Sequence, residues 1–110
     1  MLIVTSETIA NHRIVKTLGL VRGNTVRARH VGRDIVAGLR NIVGGEIHEY
    51  TKLMAESREQ TVDRMVAEAA QLGANAIIAT RFTTSVIVGG AAELLSIGTA
   101  VVIEPESNHK

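Results

Sequence analysis

A long helical period that stops at a glycine limits this chain more than any other feature. From about Glu49 to Leu72, ahead of Gly73, the residues Met54, Ala55, Thr61, Val62, Met65, Val66, Ala69 and Leu72 fall on one side of a helix advancing about 100° per residue. Lys52, Glu56, Glu59, Gln60 and Asp63 fall on the other side. Such a helix must lie on an apolar core. Hydrophobic residues make up 45% of the 110 positions, so the core is available, and it is aliphatic: Tyr50 and Phe82 are the only aromatics. Cysteine is absent, which excludes disulfides, thiolate nucleophiles and thiolate metal sites. A domain of this length can fold on its core alone.

The rest of the chain organises around that helix. Leu2–Thr5, Ile14–Val21 and Thr25–Ala28 read as strands, with Gly23-Asn24 as a turn between the second and third. Val31, Ile35, Leu39 and Ile42 follow helical spacing and predict a first helix over Arg33–Val43, with Asp34 at its positive end and Gly44-Gly45 stopping it. After Gly73 come Ala76–Thr84 and a glycine-split apolar stretch, Val86–Ile103, in which Ala76–Ala79 and Gly98–Ile103 read as strands buried on both faces. The order β-β-β-α-α-β-β predicts an α+β fold, an antiparallel or mixed sheet with two helices packed on one face. A single domain over residues 1–104 is expected, followed by a flexible polar tail at 105–110.

Twelve basic residues against eleven acidic ones leave a net charge of +1, which argues against binding nucleic acid through bulk positive charge. The N-terminal apolar run lacks the length and basic flank of a signal peptide, and the charge-free runs Phe82–Ala92 and Leu94–Ile103 are too short to span a bilayer. A cytoplasmic location without membrane contact is the expectation. The stretch Val86–Ala92 has no charge where a monomer would carry a polar hairpin, so Val86, Ile87 and Val88 are expected at a subunit interface; a buried hairpin is the other reading.

The segment RDIVAGLRNIVGGEIHEYTKLMAESREQTVDRMVAEAAQLGANAII, with GTAVVI near the end, resembles the YbjQ-like family of small prokaryotic proteins, whose activity is unassigned and which are described as heavy-metal-binding. Its most specific pieces are Asp34 with Arg40-Asn41, Gly44-Gly45-Glu46 leading to Tyr50, Arg58-Glu59, Leu72-Gly73-Ala74-Asn75-Ala76 and Gly98-Thr99-Ala100-Val101. The resemblance implies an α+β subunit in a ring-shaped homopentamer. The segment Val86–Leu95 departs from the family in being less polar, with Glu93 its only charge.

The resemblance directs attention to ligands for a divalent metal ion, and Glu46, His48 and Glu49 are the candidates. Their oxygen and imidazole donors suit zinc, nickel or manganese, whereas softer ions lack a thiolate partner. Capping and surface charge at a helix start are the alternative role for the same residues.

Arg58 falls inside the apolar arc of the long helix, between Met65 and Ala69. A buried guanidinium needs a partner, so an ion pair with Asp34 or Glu46, within the subunit or across an interface, is expected; an anion held by Arg58 with Arg40 is the alternative. Arg22, Arg27, Arg29 and Arg33 extend that alternative to an arginine-lined ring binding a small anionic metabolite or nucleic acid. No serine sits in a nucleophile-elbow context and neither double glycine has phosphate-loop spacing, so the residues favour a binding or scaffold module over an enzyme.

Overall fold

The computed structural model describes residues 1–27, 45–87 and 91–106, with backbone only at 27, 45–53, 86, 87 and 91. Within them run β1 (Leu2–Ile3), β2 (His12–Arg27), α1 (Gly45–Gln71), β3 (Ala76–Ile87) and β4 (Ala91–Pro105). The four strands form one sheet in the order β1-β3-β4-β2. β1 pairs parallel with β3, while β3 and β2 both pair antiparallel with β4. β2 and β3 therefore run the same way on either side of β4, and α1 carries the chain from one to the other across the sheet. The α+β class and mixed sheet agree with the sequence. The predicted helix over 33–43 lies outside the described residues, as do Asp34, Arg40 and Val88.

One expectation fails with an instructive cause. Gly23-Asn24 does not turn the chain; both residues lie inside the 16-residue strand β2. A Cβ placed on Gly23 would overlap the Thr61 carbonyl oxygen and come within 2.6 Å of the Met65 amide nitrogen. The glycine is needed because α1 crosses the sheet there at backbone distance.

The end of α1 follows its sequence closely. Gly73 takes φ +88°, its N–H donates to the Ala70 carbonyl, and the Ala74 N–H donates to the Ala69 carbonyl. This is a Schellman termination, sealed by the packing of Ala74 against the cluster containing Ala69. Asn75 then acts as a strand surrogate. Its Nδ2 donates to the Ile103 carbonyl at 2.9 Å and its Oδ1 accepts the Ile103 N–H at 2.7 Å. The chain stays tied further than the polar composition suggested: β4 reaches Pro105, and the Glu106 N–H donates to the Asn11 carbonyl.

Two small cores occupy opposite faces of one end of the sheet. Val21, Met65, Ala69, Ile77 and Ala100 pack beneath α1. Ala76, Ile78, Val101 and Ile103 pack on the other face, covered by Val4 and Ile9. The segment carrying Val4 is pinned by a bulge in β3, where Ala79 has φ +56° and its N–H donates to the Ser6 carbonyl while that of Thr80 donates to the Val4 carbonyl. Among the described residues no helix is long and apolar enough to cross a membrane.

Candidate functional site

Beyond the two cores the sheet continues as an arm, and α1 meets it through small polar residues. Ser57, Thr61, Met65 and Ala69, four residues apart, are the buried positions of the helix among its described side chains. Opposite them on the sheet are Gly23, Thr25, Leu94 and Ser96, all buried. The Thr61 hydroxyl donates to the Arg58 carbonyl at 2.6 Å, a bond back into its own helix. The hydroxyls of Thr25 and Ser96 are buried without a hydrogen-bond partner among the described residues.

This stripe differs from the apolar arc expected of the helix. Ser57 enters it and Leu72 leaves it, being exposed. Arg58 is exposed rather than enclosed, and among the described residues it forms no ion pair. The close crossing at Gly23 is the cause: it narrows the contact to a line one residue wide at every fourth position, with the small Ser57 and Thr61 along the arm, leaving Arg58 on the flank. Burial therefore gives Arg58 no need of a partner within the subunit. Asp34 and Arg40 lie outside the described residues.

On that flank a groove of about 560 Å³ opens between α1 and β3. Ala55 and Val62 from the helix and Phe82 from the strand supply its apolar surface; Arg58, Glu59 and Asp63 stand around it. Phe82 sits on the helix side of the sheet, opposite Ser96 in register, yet is 51% exposed because β3 is the sheet edge there. β1 covers β3 only at Ala76 and Ile77, and the backbone bonds of the segment after it reach no further than Thr80, with Arg81 Nη1 donating to the Thr5 carbonyl at 3.0 Å. Phe82 was not singled out by sequence patterning, although its isolation as one of two aromatics was a signal. Among the described lining residues two carboxylates stand beside one guanidinium, a net negative balance that disfavours an anionic ligand there. The described lining suits an apolar side chain flanked by charge rather than proton transfer or nucleophilic attack.

The opposite edge of the sheet is engaged by the helix at two positions. Arg64 Nη1 donates to the Asn24 carbonyl at 2.5 Å, and the Arg22 N–H donates to Glu68 Oε1 at 2.8 Å, so helix side chains occupy the free backbone groups of β2. Of the arginine cluster, the side chain of Arg22 is described and lies on the outer face of β2 near Asn24, Glu93 and Leu95.

Glu46, His48 and Glu49 fall in the first turns of α1, and their side chains lie outside the described residues. Backbone position still constrains them. Positions 46 and 49 are one turn apart on the helix, whereas 48 is displaced by about 100° from 49. The donor chemistry fits a borderline divalent ion, but one helix cannot bring all three donors to a single face. Among the described residues no group of three His, Asp or Glu side chains is gathered in a metal-binding arrangement. Val86 and Ile87 pair with Ala92 and Ala91 at the far end of the β3–β4 hairpin.

The split arrangement of α1 over a four-stranded mixed sheet places the chain among small α+β proteins. A solved structure from Pediococcus pentosaceus, a protein of unknown function in the DUF74 family, shares the fold with a TM-score of 0.63 at 18% identity, covering 94% of this chain and 98% of that one. The model of the YbjQ family, described as "Putative heavy-metal-binding", matches residues 1–104. UPF0145 proteins are close in sequence: one from Dehalococcoides mccartyi is 54% identical over 94% of this chain and its own full length. Another, from Halorubrum lacusprofundi, is 59% identical over 87% of this chain and 92% of its own. The chain belongs to the YbjQ (UPF0145) family, which spans bacteria and archaea.

Proposed function

We propose that this chain is the subunit of a closed homo-oligomer, a pentamer on the family resemblance, that serves as a binding module for a divalent metal ion. Shape is the observation that carries the assembly. A compact domain of roughly this length has a radius of gyration of about 13 Å. Here it is 18.1 Å, in a body measuring 65 × 25 × 17 Å. A rod so thin cannot enclose its own apolar residues, and Leu20, Val26 and Phe82 stand more than half exposed along it. The apolar run Val86-Ile87-Val88 at the hairpin end adds to that surface. Neighbouring copies are the natural cover.

Assembly also resolves the metal chemistry. A single helix start offers Glu46 and Glu49 one turn apart, a two-carboxylate half-site. A closed ring repeats Glu46, His48 and Glu49 in every subunit, so that donors from adjacent copies complete the coordination. The family description supports this reading.

Light scattering across a dilution series tests the assembly, and a protein monomeric at every concentration would overturn it. Titration calorimetry of the oligomer with zinc, nickel and manganese tests the site. Saturable binding is expected at sub-millimolar ion, lost in the Glu46→Gln/Glu49→Gln double variant and weakened in His48→Ala. An oligomer that takes up none of these ions below millimolar concentration would remove the metal reading and leave the assembly standing.

A further inference from the structure

Two exposed surfaces of the subunit complement each other. The first is the groove between α1 and β3, with Phe82, Ala55 and Val62 as its apolar part and Glu59 and Asp63 at its rim. The second lies across the sheet. Along β2 the residues Leu20, Arg22, Asn24 and Val26 alternate with the buried Val21, Gly23 and Thr25, so they face away from α1. Leu20 is 61% and Val26 54% exposed. Asn24 Nδ2 donates to Glu93 Oε2 at 3.0 Å, which ties up that carboxylate's nearer oxygen and leaves Arg22 the unpaired cation of the patch among the described residues.

We propose that the outer face of β2 in one copy seats in the α1–β3 groove of the next, a contact that rests on the assembly argued above and specifies how its members meet. Leu20 and Val26 supply the apolar side chains that Phe82, Ala55 and Val62 lack. Arg22 brings positive charge to Glu59 and Asp63, and Arg58 brings it to Glu93; each pairing is of opposite sign. The two surfaces lie on opposite faces of the same sheet, so one copy makes both contacts at once. That is a heterologous interface, the kind that generates rings. The two sheet edges point the same way. Arg64 and Glu68 occupy outward backbone groups of β2 at Asn24 and Arg22, which hinders strand addition there, while no described strand pairs with the other edge of β3 beyond Thr80, where a neighbour can approach.

The cysteine-free sequence gives a clean test. Full-length Arg22→Cys and Asp63→Cys variants, both at exposed positions, are mixed under exchange conditions and treated with a short bismaleimide, with the oligomer size read in parallel. The expected product is a cross-link between an Arg22→Cys chain and an Asp63→Cys chain, with neither variant cross-linking to itself. Arg22→Glu is expected to weaken association at least about tenfold, with recovery on adding Asp63→Arg. An oligomer in which Asp63→Cys chains link only to one another would overturn the head-to-tail arrangement. An oligomer with no cross-link and no response to charge reversal would overturn the surfaces while sparing the assembly. A monomer at every concentration would overturn both.

Discussion

Around Ile77 both faces of the sheet are covered by aliphatic side chains, whereas around Ser96 one face meets a helix through hydroxyls and the other has no core cluster among the described residues. The first region holds itself together: Met65, Ala69 and Val21 lie on one side, Val4 and Ile9 on the other. The second achieves close approach by using glycine, serine and threonine, but gains little burial from it, because small side chains remove little apolar area from water. Tight packing and strong packing are thus separate properties in this molecule. The arm is narrow enough to be ordered by α1, yet Leu20, Val26 and Phe82 remain more than half exposed along it.

That contrast can be broken at three points. The largest effect is expected at Ile77, fully buried in the self-sufficient region: Ile77→Ala should lower unfolding free energy by about 2–5 kcal/mol in denaturant titrations at fixed protein concentration. A loss below that range would mean that the aliphatic clusters do not anchor the fold. Next comes Gly23→Ala, whose new methyl meets the backbone of α1 at Thr61 and Met65; a loss of about 1–3 kcal/mol is expected, with faster amide exchange over the helix segment that crosses it. Unchanged exchange there would show that the helix does not depend on the crossing. Smallest is Ser96→Ala. Its hydroxyl is buried without a partner among the described residues, so removing it should be neutral or raise stability by up to about 1 kcal/mol in the same titration. A clear loss would reveal a bound water or an unseen partner, and would bring the arm nearer to the other region in character.

How far these features were legible from residues alone depended on their range. The end of α1 was readable at Gly73 because a left-handed termination is a local requirement. The buried strand from Gly98 to Ile103 was readable because a run of small and β-branched residues has few other uses. Gly23 misled for a long-range reason: a glycine that opens a turn and one that admits a helix look alike until the helix is in place. Arg58 misled through periodicity, since averaging over 24 positions puts it at the centre of an arc whose real contact line is only one residue wide at that point. Glu46 and Glu49 could be placed one turn apart as soon as the helix was seen to begin at Gly45, four residues before its expected start. Phe82 drew no attention, because an aromatic in a strand is unremarkable unless the neighbouring edge is known to be empty.

The order of the strands also bears on how such a chain acquires its structure during synthesis. β4 lies in the middle of the sheet yet is the last described strand to leave the ribosome, and it pairs His12 with Pro105 at one end. Until it arrives, β2 and β3 have no shared neighbour, and α1 has mainly β2 to lie upon. Most of the long-range contacts then form in one late step, which sequence separations of this size make slow. A nascent chain halted before residue 91 would carry an amphipathic helix and two aliphatic strands lacking their common partner, a sticky intermediate whose protection has to come from the speed of elongation or from a chaperone.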